Sequence, residues 1–313
     1  MSTQVDVVGG GVIGLSTAVV LAEHGHQVRI WSREEPEATT SAVAGGLWWP
    51  YRIEPEELVG DWSLASLRVY EELAKDPEET GVRLVPGVMA ETALSALGPW
   101  GAAVPELREA TTQELRSYGH GLRARLPLID MPVHLRYLRR RLESAGGVLE
   151  LRTVTDLDAV GTVVVNCSGL GARTLVPDTG MRPVRGQLVI VENPGVDEWF
   201  VAAGRTSSET SYLLPHPYGL VLGGTAEEDA WDLVPDPATA AAIVERCARI
   251  RPEVAGARVL DHRVGLRPAR DGGVRLEAER RPSGALWVHN YGHGGAGVTV
   301  AWGCAETAAR LVR

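Results

Sequence analysis

The chain opens on apolar blocks separated by glycine. Val5, Val7 and Val8 make a short apolar strand, Gly9, Gly10 and Gly11 a turn, and 12–22 an apolar helix. Gly25 closes that helix before Val28 and Ile30 resume a β-branched pattern. The order strand, glycine turn, helix, strand reads as a βαβ unit. Farther along, 61–74 suits a helix, RLVPGVMAET a strand, and the Pro- and Gly-containing stretch through Pro127 a loop. Asp130 then serves as an N-cap, with Pro132 in the first turn and Val133, Leu135, Tyr137, Leu138 and Leu142 along one side. LELRTV and TVVVNCSG follow as buried strands.

Between 185 and 279 the character changes. GQLVIVEN, SYLLP, GLVLGGT, RVLDHRVGLRP and GVRLEAE are short strand candidates set off by turns, and only 238–250 reads as helical. The last stretch, ALWVHNYGHGGAGVTVAWGCAETAARLV, is again strand, glycine turn and helix. The expected architecture is α/β. A nucleotide-binding domain from 1–50, 130–182 and 284–313 is interleaved with an antiparallel, sheet-rich domain from 51–129 and 183–283.

Composition narrows the chemistry. At 313 residues the chain suits one large or two closely packed domains. A net charge of -9 argues against a nucleic-acid partner, which would need a basic face. Lys75 is the single lysine and sits in the acidic run EELAKDPEE, which reads as an exposed helix end. That excludes a Schiff-base lysine and a GxxxxGK phosphate loop. Cys167, Cys247 and Cys304 are far apart, so neither a zinc site nor a disulfide framework is indicated, and buried thiols are expected. No leader-like or membrane-length apolar run is found, and a cytoplasmic protein without a membrane partner is the expectation.

Gly9, Gly11 and Gly14 give the spacing GxGxxG between a strand and a helix. One glycine permits the tight turn, one lets a pyrophosphate approach the backbone, and one lets helix and strand pack closely. A dinucleotide is therefore expected. The acidic residue that usually meets its ribose is missing or displaced in Trp31, Ser32, Arg33 and Glu34. Arg33 alone suits either a ribose phosphate, hence NADP, or plain solvation. Thr39, Thr40 and Ser41, followed by small residues to Gly45, Gly46 and Leu47, form a second loop suited to phosphate. Trp48 and Trp49 offer either a flat wall for a flavin or ordinary core.

Three segments together resemble the D-amino-acid oxidase family of FAD enzymes: VVGGGVIGLSTAVVL, TTSAVAGGLWWP and VHNYGHGGAGVTVAWGCA. From Trp287 to Ala305 the last matches that family's signature of an apolar pair, His-Asn-Tyr-Gly, small residues, Gly, five residues and Gly-x-Ala. GLRPAR, 265–270, resembles its GxRPxR strand. The resemblance implies a Rossmann-like FAD-binding domain and a substrate-binding domain. It puts FAD against Gly9, Gly11, Val12, Ile13, Gly14, Arg33, Thr39, Thr40, Ser41, Gly45, Gly46 and Leu47. Val154, Ser168, Gly169, Arg267, Gly292, Gly294, Gly295, Gly297, Val298 and Thr299 complete the implied set.

The resemblance also implies oxidative deamination of D-amino acids, with neutral or apolar side chains preferred, by dioxygen to 2-oxo acids, ammonia and hydrogen peroxide. Arg267 and Tyr212 would hold the substrate carboxylate, the guanidinium fork matching it bidentately. The Gly295 carbonyl would receive the amino group, and no histidine is required as a base. His289 and His293 in HNYGHGGAG are then structural, the glycines letting backbone approach the flavin. Ser208 stands where eukaryotic members carry a lid tyrosine, and the short stretch 204–211 implies an open entrance. Arg205 is either surface-exposed or, as in D-aspartate oxidases, a reader of an acidic side chain. A D-aspartate oxidase or a glycine- or sarcosine-oxidase-like enzyme is the alternative, the latter with Cys304 as a tether, though Lys75 is poorly placed to supply its lysine. A flavoprotein without turnover is a further alternative. The resemblance leaves a homodimer open.

Overall fold

The computed structural model describes residues 2–202 and 209–312. In chain order its longer elements begin with β1 (Gln4–Val8), α1 (Val12–Glu23), β2 (Gln27–Ser32), α2 (Glu56–Leu73), β3 (Val82–Ala90) and β4 (Gly121–Ile129). Next come α3 (Met131–Ser144), β5 (Val148–Leu151), β6 (Val163–Asn166), β7 (Met181–Val191), β8 (Trp199–Ala202), β9 (Glu209–His216) and β10 (Gly219–Thr225). The others are α4 (Pro237–Ile250), β11 (Val259–Arg270), β12 (Arg275–Arg280), β13 (Leu286–Tyr291) and α5 (Gly297–Leu311).

Among the described residues these strands make two sheets. The first runs β12-β13-β6-β1-β2-β5 and is parallel except at the β12–β13 edge. Its central strands are apolar on both faces, as expected where both faces are covered. Val7, Val165 and Val288 belong to the main core with α1, α3 and α5, while Val164 and Trp287 pack on Leu157 from the opposite side. α1 is buried over nearly its whole length because it lies between the sheet, α3 and α5. On α5, Gly303 lets two helices touch: a Cβ there would lie 2.4 Å from the Trp62 backbone of α2. The Ser66 hydroxyl of α2 accepts from the backbone amides of Trp302 and Gly303.

The second sheet runs β11-β7-β10-β9-β8-β3-β4, antiparallel apart from the β8–β3 pair. α4 covers it through Ile243, Cys247 and Ile250. Asp130 caps α3 by accepting from the Val133 amide at 3.2 Å. All three cysteines are buried free thiols. No helix among the described residues is long and apolar enough to cross a membrane.

Two stretches depart from the sequence expectation. The residues leading to Pro127, expected as loop, are β4, paired along its whole length with β3 from Val82 opposite Ile129 to Ala90 opposite Gly121. Its glycine and proline hid a strand that only a partner 31 to 47 positions away in the ladder defines. Residues 275–280, grouped by sequence with the antiparallel region, form an edge strand of the parallel sheet because the 281–285 turn folds them back onto β13.

Candidate active site

A cleft of about 900 Å³ runs between the two sheets, at the upper end of the ~300–1,000 Å³ usual for ligand sites. Gly9, Gly10, Gly11, Val12 and Ile13 line it where β1 turns into α1. Gly9 has φ +119°, and a Cβ there would lie 2.3 Å from the Cys167 carbonyl oxygen. Gly14 is not on the cleft wall. Its role is internal: a Cβ would come 1.9 Å from the Gly9 carbonyl oxygen, so its absence lets α1 pack against its own turn. The Ser41 hydroxyl accepts from the Val12 amide at 3.0 Å, tying the 39–43 segment to the helix start. Neither α1 nor α5 has a side-chain N-cap, and the first residues of both helices line the same cleft. Apart from the Val12 amide already held by Ser41, the amides at these helix starts favour an anion there.

At the β2 end, Trp31, Ser32, Arg33, Glu34, Arg152 and Val154 line the wall. The Arg152 guanidinium lies over the Trp31 ring, 5.0 Å from its centroid. Arg33 is 74% exposed and paired with Glu34, so it forms a solvated rim. The two tryptophans divide. Trp48 is core, its indole donating to the Ser63 carbonyl, while Trp49 lines the cleft.

At the opposite end Tyr212 of β9 and Arg267 of β11 converge. Tyr212 faces Gly223 across the β9–β10 ladder, and a Cβ on Gly223 would lie 1.8 Å from Tyr212 Cζ. Gly186 of β7 makes the corresponding room for Arg267, whose guanidinium occupies the place of the missing Cβ. Arg267 donates to the Thr225 carbonyl at 3.0 Å, which holds the fork in the wall. A Cβ on Gly295 would lie 3.2 Å from Arg267 Cδ and 4.0 Å from Tyr51 Cδ1, so those two side chains flank the glycine. Burial raises the Tyr212 phenol above its ordinary value, with the Arg267 charge opposing the shift. It stays protonated and able to donate.

The structure gathers most of the sequence-derived residues on this wall: Thr39, Thr40, Ser41, Gly45, Gly46, Leu47, Ser168, Gly169, Gly294, Gly297 and Val298 join those already named. Two more stand off it. Gly292 lines an adjoining cavity of about 1060 Å³, which shares Trp49, Tyr51, Met89, His293 and Gly294 with the cleft. Thr299 points into the core, its hydroxyl donating to the Trp49 carbonyl at 3.0 Å, because helical spacing turns it away from the cleft. Arg205 and Ser208 lie outside the described residues. Arg152, Gly186 and Gly223 escaped the sequence reading. Only Gly186 and Gly223 left a signal, as glycines inside strand patterns.

His216, His289 and His293 are buried, which disfavours their charged forms. Burial pushes the His293 imidazole down to about 3, and His289 is lowered as well while bonded to Glu279 at 3.1 Å. His216 donates to the Gly45 carbonyl at 2.9 Å, linking β9 to the glycine loop.

A sequence model described as FAD dependent oxidoreductase matches residues 4–311. The chain is 65% identical over 310 residues to a D-amino-acid oxidase of Streptomyces coelicolor, covering 98% of this chain and 96% of that protein. It is 49% identical to a D-amino-acid oxidase of Rubrobacter xylanophilus, covering 97% and 94%. Among solved structures, a glycine oxidase from Bacillus cereus shares the fold, with TM-score 0.82, 21% identity and coverage of 99% and 94%. The site suits a flavin dinucleotide on its own terms. Two helix starts whose N-cap residues, Gly11 and Ala296, supply no capping side chain face one continuous cleft, and the first turn has no side chain at Gly9, Gly10 or Gly11 to fill it. With sequence match, fold and cleft in agreement, the chain belongs to the family of FAD dependent oxidoreductases and takes FAD as its cofactor.

Proposed function

We propose that this flavin enzyme oxidises D-amino acids with dioxygen to 2-oxo acids, ammonia and hydrogen peroxide. The observation that carries the reading is the meeting of Arg267, Tyr212 and Gly295 at one end of the cleft, beside the start of α5. The two D-amino-acid oxidase relatives support the same substrate class. In this reading the parallel-sheet side holds the cofactor and the antiparallel sheet holds the substrate. Gly9, Gly11, Val12, Ile13, Ser41 and Ser168 border the dinucleotide, and Gly14 acts through packing.

FAD held along the Gly9–Ile13 turn and the start of α5 would supply the two-electron chemistry, a hydride acceptor for the α-hydrogen that dioxygen reoxidises. The chain's own residues bind and orient. Arg267 forks the substrate carboxylate, Tyr212 donates its hydroxyl to it, and the Gly295 carbonyl accepts from the amino group. The α5 amides favour negative charge placed beside them. Neither buried phenol nor His293 takes up a proton near neutral pH, so the neutral amine is selected by binding. Met89, Val201 and Trp49 supply apolar wall, which favours neutral and apolar side chains.

The sarcosine-oxidase-like alternative loses both of its requirements. Lys75 is exposed and bonded to Glu72, and Cys304 is buried among Val59, Trp62, Val274 and Val300, off the cleft. The test is a hydrogen-peroxide assay of the FAD-loaded protein across D- and L-amino acids, D-aspartate, glycine and sarcosine. Turnover of neutral D-amino acids is expected. Turnover of glycine or sarcosine alone would overturn the reading, and a strong D-aspartate preference would overturn the apolar assignment.

A further inference from the structure

We propose that Tyr51 is a substrate-binding residue whose hydroxyl donates to the carboxylate held by Arg267 and Tyr212. The identity of that ligand rests on the D-amino-acid reading. Tyr51 lies just past the TTSAVAGGLWWP loop and lines both the cleft and the adjoining cavity, so it stands where the two meet. Its hydroxyl oxygen is buried and has no hydrogen-bond partner among the described residues. A buried hydroxyl in that state is unfavourable, and native structures keep few of them without a reason.

The surroundings say which ligand would satisfy it. Tyr51 and Arg267 flank Gly295, and the Arg267 charge is close enough to act on the phenol. A carboxylate drawn to Arg267 has lone pairs for several donors, and a phenol beside that guanidinium is placed to supply one. The Arg52 guanidinium lies over the Tyr51 ring, 5.0 Å from its centroid, which occupies one face of the ring. Burial raises the phenol above its ordinary value, so it remains a donor across the working pH range. Tyr212 and Tyr51 then approach the carboxylate from different walls, one from the antiparallel sheet and one from the loop before α2.

The test uses FAD-loaded Tyr51→Phe, which keeps the ring and removes only the hydroxyl. Two quantities should rise together by about ten-fold: KM for D-alanine, and the Kd of butyrate read from perturbation of the flavin absorbance. kcat, the FAD Kd and Tm should stay near wild type, a split that a purely structural hydroxyl would not produce. Unchanged butyrate binding would overturn the proposal. So would loss of FAD affinity or a lowered Tm with no selective carboxylate effect. If wild-type protein does not oxidise D-alanine, the functional reading fails, while the butyrate comparison still reports on Tyr51.

Discussion

At Gly9 and Gly14 of the β1–α1 turn an added methyl would strike backbone, whereas opposite Tyr212 and Arg267 it would strike a side chain. Gly9 and Gly14 bring main chain against main chain, with Cβ positions 2.3 Å and 1.9 Å from carbonyl oxygens. Gly186 and Gly223 leave β7 and β10 bare so that Arg267 and Tyr212 can lie across them. The first arrangement is rigid, since a carbonyl inside a turn has nowhere to go. The second is adjustable, since a phenol ring can swing away at the cost of its aim.

That contrast orders the expected effects of substitution. Gly14→Ala should be the most damaging, costing roughly 3 kcal/mol or more and raising the FAD Kd more than about a hundred-fold. Flavin fluorescence and the melting curve measure both, and a variant that still retains FAD tightly would break the comparison. Arg267→Ala should leave FAD bound while kcat/KM falls by about 2–5 kcal/mol in activation free energy, roughly 30- to 5,000-fold. Steady-state kinetics beside a flavin spectrum reads the two separately.

Gly223→Ala sharpens the contrast further. Its methyl displaces the Tyr212 ring, so KM should rise roughly ten-fold with FAD affinity unchanged, in line with about 1–3 kcal/mol for overpacking. Equal loss of FAD affinity would show that the two ends are not separable. Acid tests the core shared by both. His134 and His216 are held at about 4 and His293 at about 3, against an ordinary 6.5, so the folded state binds fewer protons than the unfolded one. Their contribution is complete above pH 6.5 and is lost as pH falls toward those folded values, by up to ~1.4 kcal/mol per pH unit for each histidine. Denaturant titrations between pH 7 and about 4 should show this slope, flattened by replacing His134. The smallest effect is expected for His293→Asn: kcat within about three-fold, against the 10²–10⁴-fold typical of a lost general base.

The glycine turn, the βαβ start and the terminal strand-turn-helix were legible because each is local: a handful of adjacent residues states its own backbone demand. Arg267 was legible through its flanking GLRPAR, and Tyr212 by its place in SYLLP. Other parts were not. β4 needed β3 as a partner, and Trp48 and Trp49 differ only in which way a shared loop turns them. Gly14 and Thr299 carry the family pattern yet act through packing, one inside the helix turn and one against the Trp49 backbone. Arg152 reaches the site from a segment whose own sequence announces nothing.

The amino-acid sequence by itself determined the elements that need no partner, the cofactor class and the charged group suited to a carboxylate. Tertiary structure alone decided which glycines make room for Arg267 and Tyr212, which tryptophan meets the cleft, and that Tyr51 carries a buried hydroxyl with no partner among the described residues. The reason is distance along the chain. Backbone geometry and helix starts are set by neighbours in sequence, while an empty space or an unanswered hydroxyl exists only once strands from distant segments have been laid side by side.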